Sequence, residues 1–273
     1  MSADDSSAEK RGGAESVDAF DSIEAFGAAV GHVLGGSAPP RLQGPLIPVT
    51  GRCFAPALSP RLSYGRHRGP ARLDSRRAAV AIVVYPHRPT GRLCLTLTRR
   101  PKALSHHGGQ ICLPGGQIEP GESPLEAALR EYREELGVSP QVIQVVGRLK
   151  PIYVFASDNL VETLVLTAGG PIGDWNPDPV EVDEVIEMPL ESVVQLGGGA
   201  VASSCPPCKI ITEKRDRIGK KQGTGEVFQY RFGHPAIEFS DFLGRRRVVW
   251  GATAMLLGEL ADAVCLAIDD RAG

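Results

Sequence analysis

The 273-residue sequence has almost no net charge, −2 from 30 basic and 32 acidic residues. That balance gives no broad electrostatic pull toward nucleic acid or an anionic membrane, so neither is expected as a partner. No apolar run reaches the length needed to cross a bilayer. The opening Met-Ser-Ala-Asp-Asp-Ser-Ser-Ala-Glu-Lys lacks the basic and apolar regions of a secretion signal. Cysteine is sparse, and Cys53, Cys94, Cys112, Cys205, Cys208 and Cys265 are scattered too widely to frame a small secreted scaffold. No internal repeat is present. A cytoplasmic, thiol-reducing location is therefore the default expectation. Nothing in the sequence decides the oligomeric state, and a homodimer is left open.

With 42% hydrophobic and 23% charged residues, the composition is that of a folded protein large enough for one sizeable domain with additions. Residues 1–75 read as an N-terminal tail, a short amphipathic helix over about 17–34, and an irregular Pro- and Arg-rich connection. Disorder is expected in the first fifteen or so. The main domain is expected over 76–268. It opens with Ala79–Tyr85, an apolar run suited to a strand buried on both faces, and Leu93–Thr98 reads as its partner. Strand patterns recur at 142–149, 160–167 and 185–190. Lys209–Thr212 and Val227–Phe232 read as a hairpin with Lys214, Arg215, Arg217, Lys220 and Lys221 at its tip, and Trp250–Ile268 as a helix packed on the sheet. Strands with two substantial helices in the main domain give an α/β or α+β class with a mixed sheet.

The most informative stretch is Gly116–Val138, GQIEPGESPLEAALREYREELGV. Ser123 is a good N-cap, Pro124 fits the first helical position, Glu126 completes a capping box and Gly137 is a natural stop. The spacing predicts a helix over 124–136, with Leu125, Ala128, Leu129, Tyr132 and Leu136 on the face turned to the sheet. Glu131, Glu134 and Glu135 recur at i, i+3 and i+4, so their side chains share a neighbouring face. Three carboxylates that close repel one another, and a bound divalent cation removes the conflict. Oxygen-only donors suit Mg²⁺ or Mn²⁺. Arg130 is placed to pair with Glu122 and fix the preceding loop. Taken alone, Glu-x-x-Glu-Glu is common on solvated helices.

The whole segment, however, resembles the Nudix hydrolase box, G-x5-E-x7-R-E-U-x-E-E-x-G-U with U a bulky apolar residue. Gly116, Glu122, Arg130, Glu131, Glu134, Glu135, Gly137 and Val138 match in register, and Tyr132 stands where an aliphatic residue is usual. The resemblance implies an α/β/α sandwich and hydrolysis of a diphosphate bond in a nucleoside-diphosphate derivative. It implies Glu131, Glu134 and Glu135 as metal ligands together with the Gly116 backbone, and Glu131 or Glu134 as the base that activates water. Glu122 and Arg130 would be structural.

Upstream, Thr98, Arg100, Gly109 and Pro114-Gly115-Gly116 resemble the element of the coenzyme A pyrophosphatase branch, L-L-T-x-R-[SA]-x3-R-x3-G-x3-F-P-G-G. Pro101, Ser105 and Leu113 depart from it. Asn176–Leu190 and Val249–Thr253 resemble that branch too, extending the resemblance over about 76–265. It implies cleavage of coenzyme A or an acyl-CoA to 3′,5′-ADP and 4′-phosphopantetheine, with Arg100 touching a substrate phosphate and His107 near the metal. ADP-ribose or a dinucleoside polyphosphate is the alternative substrate, and a non-catalytic nucleotide sensor the alternative of another class. Cys205-Pro-Pro-Cys208 lacks the further ligands of a zinc site and reads as loop.

Overall fold

The computed structural model describes residues 20, 22–35, 58, 74–104, 107–154, 157–199, 207–220 and 225–272. The expected N-terminal disorder, Cys205 and Lys221 lie outside them. Strand β1 (Arg76–Pro86) is the centre of the main sheet and alternates strictly between two apolar layers. Ala79, Ala81, Val83 and Tyr85 face one side, and Ala78, Ile82 and Val84 the other. Burial on both faces is what its unbroken apolar run requires. β1 pairs antiparallel with β2 (Leu93–Arg99) and parallel with β6 (Asn159–Pro171), which pairs antiparallel with β5 (Pro140–Val154). Two short strands, β3 (Ile111–Cys112) and β4 (Gly115–Gln117), pair with β2 and β1, and β7 (Glu184–Pro189) runs antiparallel to β2. The result is a mixed seven-stranded sheet.

Helix α1 (Ile23–Val33), α3 (Leu190–Leu196) and α4 (Ala252–Ala272) cover one face; α2 (Pro124–Leu136) covers the other. This is an α/β/α sandwich, as expected. Among the described residues, no helix is long and apolar enough to cross a membrane. A second, three-stranded sheet, ordered β10-β9-β8, follows it in sequence, built from β8 (Lys209–Lys220), β9 (Val227–Ser240) and β10 (Arg246–Trp250).

Three expectations are corrected. Lys214, Arg215 and Arg217 lie along β8, and of the described residues of that set only Lys220, the last of the strand, stands at the hairpin tip, because the ribbon is far longer than the two apolar patches suggested. Trp250 ends β10 instead of opening the last helix, since Gly251, at φ 69°, turns the chain between them. Leu190, expected to end the strand over 185–190, instead opens α3.

Candidate active site

Helix α2 forms where its caps dictate. The Ser123 hydroxyl accepts from Glu126 N at 3.3 Å, and the Glu126 carboxylate accepts from Ser123 N at 2.8 Å. At the far end Gly137 adopts φ 68°. An added Cβ there would lie 2.0 Å from the Asn176 carbonyl oxygen, so glycine is required by both conformation and space. The buried face comprises Ala127, Ala128, Tyr132, Glu135 and Leu136, while Leu125 and Leu129 sit at its margin. Glu135 thus shares the buried face instead of lying beside it. Tyr132 is tolerated among aliphatic neighbours because its hydroxyl meets Thr96 Oγ1 at 3.0 Å beneath the helix.

Arg130 organises the exposed side. Its Nε and Nη2 donate to the two oxygens of Glu122 at 2.8 and 3.1 Å, a bidentate pairing, and Nη2 also reaches the Gln117 carbonyl at 2.9 Å. Its Nη1 donates to Glu131 Oε1 and Glu134 Oε2, both at 2.9 Å. Glu122 also accepts from Glu119 N at 2.9 Å, which ties the loop to the helix. The Arg130 hydrogen bond holds the Glu122 carboxyl below its usual range. Glu131 is pushed the other way, because its partial burial outweighs the help from Arg130.

Glu135 is only 3% exposed. Burial raises its carboxyl to about 8, with the Arg100 charge opposing that shift and the charges of Glu131 and Glu181 adding to it. The Gly115 N–H bonds to this carboxyl, yet its Oε2 is buried without a hydrogen-bond partner. Arg100 leads away from β2 into the 100–110 loop, where Arg100 N donates to the Gln110 carbonyl at 2.9 Å and Gly109 N to the Arg100 carbonyl at 3.0 Å. The Arg100 Nε is also buried and unpartnered. His107 is an exposed turn residue at φ 59° whose Nδ1 meets Gln110 Oε1 at 3.0 Å. The structure thus puts Arg100 beside the carboxylates and leaves His107 engaged with its own loop.

Glu181 is a carboxylate that no spacing rule singled out. The loop between β6 and β7 docks on the end of α2, with Asn176 N donating to the Leu136 carbonyl and Asp178 N to the Glu135 carbonyl, each at 3.1 Å. That docking brings the Glu181 charge within reach of Glu131 and Glu135.

Among the described residues, no three acidic, His or Cys side chains converge as a ready-made cation cage. Glu131 and Glu134 are drawn together by one guanidinium, and Glu135 is turned inward. The donor set nevertheless fits a hard divalent ion. It is all oxygen, and it holds an orphaned buried carboxylate oxygen on Glu135. It also presses the Glu131 carboxyl against Gly116, where any Cβ would lie 2.4 Å from it.

Residues 75–203 match the family model described as the NUDIX domain. This segment is similar to the NUDIX domain. Its limits take in β1 through α3 and all of the carboxylates above, and they leave out α1, the second sheet and α4. Over 129 residues the chain is 37% identical to a protein of Salmonella paratyphi B named an uncharacterized Nudix hydrolase NudL, covering 46% of this chain. The chain spans 63% of the length of that relative. Among solved structures, a MutT protein from Methanosarcina mazei Go1 aligns at 23% identity over 45% of this chain and 85% of its own, with TM-score 0.36. A MutT/nudix family protein from Enterococcus faecalis aligns at 14% identity over 76% of this chain and 67% of its own, with TM-score 0.41.

Proposed function

We propose that the NUDIX domain is a diphosphatase acting on a small nucleotide substrate, with coenzyme A or an acyl-CoA as the substrate and 3′,5′-ADP and (acyl-)4′-phosphopantetheine as products. The observation that carries the chemical half is the Glu135 carboxylate, buried behind Gly115 with one oxygen unsatisfied and Arg100 close by. A buried carboxylate oxygen and a buried Nε of a part-buried guanidinium, neither with a partner, are costly in a folded protein unless something they bind repays the desolvation.

Glu131, Glu134 and Glu135, with the Gly116 backbone, would hold Mg²⁺ or Mn²⁺, which when bound neutralises charge on the diphosphate and lowers the pKa of a coordinated water. Arg130 keeps Glu131 and Glu134 on one side of the helix and braces Glu122, so that pair serves architecture. Arg100 contributes a charge that a substrate phosphate can meet. His107, on the same loop, is a second substrate contact. Glu131 or Glu134 accepts the proton of the attacking water; Glu181 adds a further carboxylate to the same side. Water oxygen bonds to one phosphorus, the P–O–P bridge to the other breaks, and the released phosphate takes the electron pair.

The coenzyme A reading rests on sequence likeness in the Thr98–Gly116, Asn176–Leu190 and Val249–Thr253 segments. Turnover with Mg²⁺ on coenzyme A, ADP-ribose and diadenosine polyphosphates, with products separated by chromatography, tests it. 3′,5′-ADP from coenzyme A is expected. Cleavage of ADP-ribose alone would overturn the substrate assignment, and no product from any of them would favour a nucleotide sensor. A reducing cytoplasmic setting is part of the same reading.

A further inference from the structure

The second sheet lies beyond the NUDIX domain match, yet one of its side chains reaches back into that domain. Arg247 on β10 is 6% exposed and donates through Nη1 and Nη2 to both oxygens of Glu184, at 2.8 and 2.6 Å. The same guanidinium bonds Asp241 Oδ2 through Nε at 2.8 Å and Nη2 at 2.7 Å, anchoring it in the β9–β10 turn. Glu184 also receives Arg99 Nη1 and Arg245 Nη1, each at 2.9 Å. Arg99 binds the neighbouring Asp183 through its side chain at 2.8 Å and through its carbonyl, which accepts from Asp183 N at 2.7 Å. Three arginines therefore converge on the point where the β6–β7 loop enters β7.

Glu181 stands three residues before that point, on a turn closed by bonds from Glu181 N and Val182 N to the Asp178 carbonyl at 3.0 and 2.8 Å. The loop has two fixed ends. One is docked on the last turn of α2, the other is held by the arginines, and Glu181 lies between them, its charge within reach of Glu131 and Glu135. Arg247 is the member of the cluster that is buried, bidentate on Glu184 and rooted in another sheet. Arg245 is half-exposed and meets Glu184 through a single nitrogen, with its Nε on Asp241 Oδ2 at 3.0 Å.

We infer that Arg247 is a positioning residue for the Glu181 loop, and that the second sheet completes the active site through it. The inference rests on the proposed diphosphatase reading for its catalytic consequence. Its structural part, a clamp on residues 178–184, stands independently. A planar, two-pronged donor fixes a carboxylate in both distance and orientation, which a lysine in the same place cannot do.

The test uses the full-length protein and the variants Arg247→Met, Arg247→Lys and Arg245→Gln. Amide exchange followed by mass spectrometry reads the loop, and steady-state kinetics reads the site. Arg247→Met and Arg247→Lys are expected to speed exchange across residues 178–184 about tenfold while α2 and β1 stay protected. Both should lower kcat about tenfold with KM changed less than about threefold. Arg245→Gln, which removes the exposed member of the cluster, should change both readouts less than either Arg247 variant. If Arg247→Met fails to fold, Arg247→Lys, which retains the charge, decides the matter. Unchanged loop exchange and kcat in a folded Arg247 variant overturns the proposal, as does loosening confined to β8–β10. If the natural protein turns over no diphosphate at all, the functional reading fails, while loop exchange still decides whether the clamp exists.

Discussion

Gly116 faces the carboxyl group of Glu131 so closely that a Cβ on it would lie 2.4 Å from the carboxyl carbon and 2.4 and 2.6 Å from its oxygens. The obstructing atoms belong to the end of a flexible, partly exposed side chain. Gly116→Ala should therefore fold almost normally, because Glu131 can swing aside. The swing takes that carboxylate away from its neighbours. The expected outcome is a melting temperature within a few degrees of the natural protein and about a hundredfold loss of metal-dependent turnover. Equal turnover would show that the Glu131 position does not matter.

Gly137 makes the opposite case. A Cβ there would meet the backbone oxygen of Asn176 at 2.0 Å, and the residue sits at φ 68°. Neither the left-handed backbone nor the docked loop can yield cheaply. Gly137→Ala is expected to cost about 2–3 kcal/mol by chemical denaturation and to lower activity as well, since the loop that docks there carries Glu181.

Tyr132 supports the helix from below through its contact with Thr96. Thr96 also donates to the Tyr85 hydroxyl at 3.2 Å, so it keeps a partner when Tyr132 loses its own. Tyr132→Phe should then destabilise by only about 1 kcal/mol and leave turnover intact. A loss of several kcal/mol in denaturant titration would mean the buried hydroxyl matters more than this geometry allows.

Burial lifts the Glu135 carboxyl from the ordinary 4.5 to about 8 in the metal-free protein. A folded-state value above the unfolded one favours folding at low pH and loses that contribution as pH rises through the folded value. Metal-free protein should therefore become less stable between about pH 5 and pH 8, and Glu135→Gln should flatten that part of the profile. The same proton must leave before Glu135 can bind a cation. Manganese affinity measured by electron paramagnetic resonance should rise over that range, with proton release. A pH-independent affinity would place Glu135 outside the cation site.

Much of this architecture is legible in the residue order. Helix α2 announces itself at Ser123, Pro124, Glu126 and Gly137 because caps are local devices, and its limits follow from them. β1 is legible from its apolar run. What escapes is what depends on distant partners. β3 and β4 are two and three residues long and exist only through pairing with β2 and β1. α3 has no side-chain cap to mark its start. The Arg130–Glu122 brace could be read from spacing. The Arg247–Glu184 pair joins residues 63 positions apart and could not. Nor could the inward turn of Glu135, because the i, i+3, i+4 pattern fixes the side of the helix and not the depth. Glu181 carries no spacing at all, and its place is set by the loop docking on α2.

The most direct measurement is anomalous scattering from crystals soaked in manganese. A peak is expected within about 2.5 Å of oxygens from Glu131, Glu134 and Glu135, with the Arg130 guanidinium withdrawn from Glu131 and Glu134 while still paired with Glu122. A peak elsewhere, or none while Arg130 still spans those two carboxylates, would contradict it.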